Sequence, residues 1–157
     1  MPTITTFLTF QTQALEAVNH YISAFPNSRI TSVNHYGEGA PMPKGTPMVI
    51  QFELDGKPFQ ALNGGSHFKL TDAFSLMVTC DTQAEIDSYT EKLIAGGGEQ
   101  GPCGWIKDRF GLSWQVDPKI LGEMLSDKDP KKVERVMQAM MKMTKIDVAA
   151  LNRAFEG

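Results

Sequence analysis

Apolar and polar residues alternate along four stretches of the chain, and each reads as a half-buried strand. Ile4, Thr6, Leu8 and Phe10 oppose Thr5, Phe7 and Thr9, and Met48, Ile50, Phe52 and Leu54 oppose Val49, Gln51 and Glu53. Leu76, Val78 and Cys80 oppose Ser75, Met77 and Thr79, and Leu112, Trp114 and Val116 oppose Ser113, Gln115 and Asp117. Weaker strands are predicted near 29–36, 57–63 and 99–108. Helical spacing appears at Leu15, Val18, Ile22 and Phe25 and again at Ile86, Tyr89 and Leu93. Thr82 followed three residues later by Glu85 is a capping box, and Gly96-Gly97-Gly98 supplies a left-handed stop. After Asp117-Pro118 the pattern is helical to the end, with stripes at Ile120–Leu125, Val133–Met141 and Val148–Phe155. Asp129-Pro130 suits the start of the middle helix.

The order is strand, helix, three strands, and then the same order again. Thr12-Gln13-Ala14 and Thr82-Gln83-Ala84 are identical tripeptides at the two strand-to-helix junctions, 70 positions apart, which sets Thr5 opposite Ser75. Aligning Gly56 with Gly111 sets Gln60 opposite Gln115. The expected organisation is one domain over 1–157, with a first module at 1–65, a second at 72–117 and a helical extension at 118–157. The Pro/Gly-rich segment 37–47 is expected to be a rim loop or lid between strands.

Composition narrows the function classes. The 157 residues include 15 Lys/Arg and 18 Asp/Glu, a net charge of −3 without a charged tail, which favours neither nucleic acid nor an anionic membrane. Cys80 and Cys103 are too few for a disulfide framework and form no Cys-x-x-Cys pair. The N-terminus reads as a strand rather than a signal peptide, and no apolar run is long enough to span a bilayer. A cytoplasmic protein is expected.

The run Cys103-Gly104-Trp105-Ile106-Lys107-Asp108-Arg109-Phe110-Gly111-Leu112-Ser113-Trp114-Gln115-Val116 closely resembles the hallmark of PhnB-like proteins. Asn63-Gly64-Gly65, Asp72-Ala73-Phe74-Ser75 and the tail from Met140 to Leu151 are similar to the same branch. This branch, often labelled demethylubiquinone methyltransferase, belongs to the vicinal oxygen chelate superfamily of glyoxalase I, bleomycin-resistance proteins and extradiol dioxygenases. The resemblance implies an α+β fold of two βαβββ modules whose curved mixed sheets surround a cup, followed here by C-terminal helices. It also implies a homodimer. Metal-dependent relatives take four ligands, typically His, Glu or Gln, from the first and last strands of each module. The corresponding positions here are Thr5, Gln60, Ser75 and Gln115.

Two hydroxyls and two carboxamides offer a divalent ion neither anionic charge nor imidazole, so no metal is expected at that quartet. His20, His35 and His67 match none of its positions. Adenosyl methyl donors bind at a glycine-rich strand-to-helix turn of a doubly wound sheet, and here the Gly triplet follows a helix instead. No cofactor is expected. The leading expectation is a small-molecule ligand held in the cup by Thr5, Gln60, Ser75 and Gln115, with Asn63 at its mouth. The alternatives are an enzyme (a lyase, a dioxygenase or the labelled methyltransferase) and an interaction module built on Lys131, Lys132, Arg135 and Lys142 of the basic helix. Cys103 reads as a small apolar filler in a strand, and Asp108 as a turn-maker ahead of Gly111.

Overall fold

In the computed structural model, which describes residues 1–157, the chain forms two compact units, Met1–Leu70 and Thr71–Gly157. The first contains β1 (Thr6–Phe10), α1 (Ala14–Ala24), β2 (Arg29–His35), β3 (Pro47–Leu54) and β4 (Lys57–Asn63). The second contains β5 (Ser75–Cys80), α2 (Gln83–Ile94), β6 (Glu99–Gln100), β7 (Trp105–Lys107) and β8 (Ser113–Pro118). It continues through α3 (Lys119–Leu125), α4 (Pro130–Met140) and α5 (Val148–Glu156). The sheets run β1-β4-β3-β2 and β5-β8-β7-β6, so each has its first strand parallel to its last and the others antiparallel. This is βαβββ, repeated.

The repeat holds at the level of register. Phe7 pairs with Gln60 across β1 and β4, and Met77, 70 positions on, pairs with Gln115 across β5 and β8. Alternation then decides the faces. Leu8 and Phe10, Ile50 and Phe52 are buried on the helix side of the first sheet, and Trp114 and Val116 on that of the second. The opposite faces carry Phe7, Gln60, Ser75, Met77 and Gln115, of which Phe7 and Met77 are exposed.

Helix α1 departs from its predicted stripe. Its buried residues are Ala14, Ala17, Val18, Tyr21 and Ala24, while Leu15 and Ile22 are only half-buried. Small alanines let the helix backbone approach β3 and β4, and the larger apolar side chains flank that seam. Its N-terminus has no local side-chain cap. Instead Asn63 Oδ1, from the end of β4, accepts from Ala14 N (2.8 Å). Asn63 Nδ2 donates to Pro47 O (2.9 Å) and its carbonyl accepts from Tyr36 Oη (2.7 Å). Asn63, expected at the mouth of a ligand cup, is 1% exposed. Its parity with Ala61 turns it to the helix side, where it clamps three segments together. The 37–47 loop is closed at its base, with Tyr36 N donating to Thr46 O and Gly45 N to Tyr36 O (both 2.9 Å).

Helix α2 has the predicted capping box at Thr82 and Glu85, and Gly96 takes φ +81° just after its end. Asp129 caps α4, accepting from Lys131 N (2.9 Å), with Pro130 in the first turn. The predicted strand at 99–108 is split in two, because Pro102-Cys103-Gly104 forms a turn with Cys103 at φ 55° and Gly104 at φ +82°. Cys103 is thus a turn residue and not a strand filler.

That turn holds the extension. Cys103 N donates to Met143 O (2.9 Å) and Gly104 N to Thr144 O (2.7 Å). Gln83 of α2 donates to Ile146 O (3.0 Å) and accepts from Val148 N (2.9 Å), and Lys145 pairs with Asp87 (2.6 Å). Leu121, Met124, Val136, Ile146 and Leu151 form a core of their own. Two of the three cations of α4 are committed internally. Arg135 donates to the carbonyls of Ala154 and Phe155 at the end of α5, and the Lys132 ammonium lies 4.6 Å from the Phe155 ring centroid.

Candidate functional site

The open face of the second sheet presents three rows, set by the β5–β8 and β7–β8 ladders. Ser75, Ser113 and Lys107 form the first, Met77, Gln115 and Trp105 the second, and Thr79 and Asp117 the third. Gln115 Nε2 donates to Ser75 Oγ (2.9 Å), so two of the expected cup residues meet directly. Ser113 Oγ donates to Asp72 Oδ1 (3.1 Å), and Lys107 pairs with the same carboxylate (2.8 Å). The hydrogen bond from Lys107, with that from Ser113, holds the Asp72 carboxyl below its usual range. The same partnership raises Lys107.

Beyond the second and third rows the extension builds a wall. A cavity of about 400 Å³ is lined by Met77, Trp105, Gln115 and Asp117 from the sheet and by Leu125 and Met140 from α3 and α4. Thr79 and Cys103 also line it. Its volume and its mixture of apolar walls with a few polar groups are those of a small-molecule pocket. The two thiols differ sharply. Cys80 is 2% exposed, and burial, reinforced by the Glu85, Asp117 and Asp81 charges, pushes its thiol up to about 11. Cys103 is half-buried at the cavity.

Asp117 is the chemically unusual residue of this unit. Its Oδ1 is buried without a hydrogen-bond partner, and burial alone pushes its carboxyl up to about 6. The sign of the consequence follows from proton linkage. Between about pH 4 and pH 6 the folded chain keeps a proton that the unfolded chain has released, so this group's contribution to stability falls as pH rises through that window. Above it the ionised carboxylate costs about 1–2 kcal/mol, after allowing for its partial exposure. Asp117→Asn should therefore raise the melting temperature at pH 7.5 by about 3–6 °C and have little effect at pH 4. Equal effects at the two pH values in thermal melts would show that the buried charge is not the cause.

In the first unit Gln60 occupies the place of Gln115, beside Phe7. Thr5 lies just before β1, in the place that Ser75 holds in the second unit. The four positions that the resemblance assigns to a metal quartet carry neutral oxygen-bearing side chains, and Gln115 already donates to Ser75. No group of three or more His, Cys, Asp or Glu side chains comes close enough to hold an ion. The residues present do not fit a divalent metal. The joints from strand to helix, Gln11-Thr12-Gln13 and Asp81-Thr82, contain no glycine, so the chain lacks the glycine-rich turn at which doubly wound sheets hold an adenosyl methyl donor.

Sequence reasoning brought Ser75 and Gln115 together correctly but missed Asp117 and Trp105 as neighbours of Gln115. Asp117 shares the parity of Gln115, two residues away, and that was the available signal. Leu125 had none, because an amphipathic stripe does not say which sheet face its helix covers.

Repeated βαβββ units with polar open faces define the vicinal oxygen chelate, or glyoxalase/bleomycin-resistance, class. The fosfomycin resistance protein FosX from Mesorhizobium loti, 13% identical, shares the fold with a TM-score of 0.57 over 80% of this chain and 98% of its own. Protein PA1353 from Pseudomonas aeruginosa, 21% identical, does so with a TM-score of 0.59 over 75% of this chain and 98% of its own. The PhnB protein from Bacillus cereus is 37% identical over 74% of this chain and 99% of its own, with a TM-score of 0.66. Residues 2–117 match the model of the 3-demethylubiquinone-9 3-methyltransferase family, and the chain belongs to that PhnB-like family. The matched region ends at Asp117, so α3, α4 and α5 lie beyond it. No curated protein matches the chain. No helix is long and apolar enough to cross a membrane.

Proposed function

We propose that this protein binds a small organic molecule on the open face of its second sheet, with Gln115 as the central hydrogen-bonding group and no divalent metal at the family quartet. The observation that supports this most is the row Met77–Gln115–Trp105, which places one oriented amide between two large apolar side chains at the edge of an open cavity. Such a surface recognises a ligand by shape and one or two hydrogen bonds. Family membership supports a small ligand but not a reaction, because fold warrants chemistry poorly.

The test is a thermal-shift screen of a metabolite and fragment library, followed by calorimetry on the compounds that stabilise the chain. Gln115→Ala should weaken those compounds about tenfold or more, as the loss of one well-placed hydrogen bond does. Unchanged affinity would remove Gln115 from the site. We also propose that the protein works as a homodimer in the cytoplasm, the exposed Phe7 being apolar surface suited to cover. Sedimentation equilibrium returning the mass of a single chain would overturn the dimer.

A further inference from the structure

Asn63 is the one asparagine of the chain that precedes a glycine; Asn19, Asn27, Asn34 and Asn152 precede larger residues. Glycine leaves its own nitrogen unhindered, so an Asn-Gly pair cyclises to a succinimide more readily than other pairs do. Packing demands both residues here. A Cβ on residue 64 would lie 2.7 Å from Thr9 Cγ2 and 3.0 Å from the Phe68 ring, so only glycine has room. The side chain at 63 must accept from Ala14 N and donate to Pro47 O, which an amide does and a carboxylate cannot. The fold therefore requires, at one corner, its least durable dipeptide.

The same corner holds the reaction back. Cyclisation needs Gly64 N to reach the side-chain carbon of Asn63. That nitrogen donates to Phe10 O (2.8 Å), and Gly65 N donates to Gln11 O (3.1 Å). The Asn63 amide is tied at both ends, its carbonyl accepts from Tyr36 Oη, and the residue is buried. Attack waits until the end of β4 leaves both β1 and α1.

We propose that Asn63-Gly64 is a site of spontaneous deamidation gated by opening of this corner, and that the modification irreversibly unlatches the 37–47 loop. In the open state Gly64 N bonds to Asn63 Cγ and the Cγ–Nδ2 bond breaks. The amide nitrogen takes the Gly64 proton and leaves as ammonia. Water then opens the ring at either carbonyl, which yields aspartate or isoaspartate. Aspartate keeps an acceptor for Ala14 N but sets an oxygen against Pro47 O. Isoaspartate adds a methylene to the main chain where Asn63 pairs with Phe10. Either product loses the donor that fixes Pro47, at which the loop enters β3.

The experiment holds the full chain at pH 7.4 across a guanidinium series. Deamidation is followed by peptide mass and by chromatographic separation of isoaspartate, and exchange of the Gly64 amide by NMR. The unfolded chain should deamidate faster at Asn63 than at any other asparagine, and the native chain at least about a hundredfold more slowly at that site. Between these limits the two rates should rise together with denaturant. A native rate within a few-fold of the unfolded one overturns the gate, as does deamidation that stays level while Gly64 exchange accelerates. Tyr36→Phe removes one tie without touching the pair and should raise both rates by the same factor; a rise in exchange alone also overturns the gate. Asn63→Asp copies one product, and exchange at the Tyr36 and Gly45 amides, which close the base of the loop, should accelerate at least about tenfold. Protected amides there would overturn the unlatching. Should Asn63→Asp fail to fold, the same amides are read in wild-type protein aged to partial conversion.

Discussion

Asp108→Ala is expected to lower stability by about 3–5 kcal/mol, one of the largest losses available from a single substitution outside the apolar core. Asp108 is 3% exposed, and its Oδ1 accepts from Phe110 N (2.9 Å) and Leu112 N (3.0 Å) while Oδ2 accepts from Trp114 Nε1 (2.9 Å). Alanine leaves three donors without their acceptor, and each buried orphan costs about 1–3 kcal/mol. The turn from Asp108 to Gly111 and the seating of Trp114 depend on the same carboxylate, so the losses are coupled. A urea titration followed by tryptophan emission should show a midpoint well below the wild type. Asp108→Asn is the informative control. It keeps an oxygen for the two backbone donors but presents an amide NH2 to the Trp114 N–H, so its loss should fall between those of wild type and alanine. An alanine variant as stable as the wild type would mean that water replaces the carboxylate and the turn is set by Gly111 instead.

Gly104→Ala should release the C-terminal extension. Gly104 has φ +82°, and a Cβ there would run into Asp117 Oδ1 and lie 3.0 Å from Ile146 Cγ1 and 3.1 Å from Val116 O. Backbone strain and overpacking together are worth about 2–4 kcal/mol. The cheapest relief is loss of the Cys103–Met143 and Gly104–Thr144 backbone bonds, which tie the extension to the turn before β7. Hydrogen exchange at the Cys103 and Gly104 amides should then accelerate by two orders of magnitude or more, and trypsin should cut among Lys142 and Lys145. Because Leu125 and Met140 form walls of the cavity, any ligand that the native protein binds there should be lost with the extension. Protected amides and an intact tail in the variant would show that the turn yields without undocking.

Much of this molecule is local enough to be read from its residues. Alternation at Met48–Leu54 and Leu112–Val116 assigns strands and faces because side chains along a strand have a period of two. The 70-residue offset survives in the ladders, as the Phe7–Gln60 and Met77–Gln115 pairs show. The Thr82–Glu85 box and the Asp129-Pro130 start are formed by neighbours within one turn, so their chemistry is complete in the sequence.

What escaped is whatever depends on partners far apart in the chain. The amphipathic stripe of α1 was displaced because sheet packing rewards the close approach of Ala14 and Ala17 over the bulk of Leu15 and Ile22. Asn63 has the composition of a ligand-binding amide, yet the N-terminus of a helix 49 residues away claims its oxygen. The same distinction runs through the site. Strand periodicity alone put Ser75 and Gln115 on one open face and left their donors neutral, which disfavours a metal whatever the packing. Only the tertiary structure decided that Gly104 of the 102–104 turn packs against Asp117, because burial raises a carboxyl's pKa only once other segments have excluded water from it.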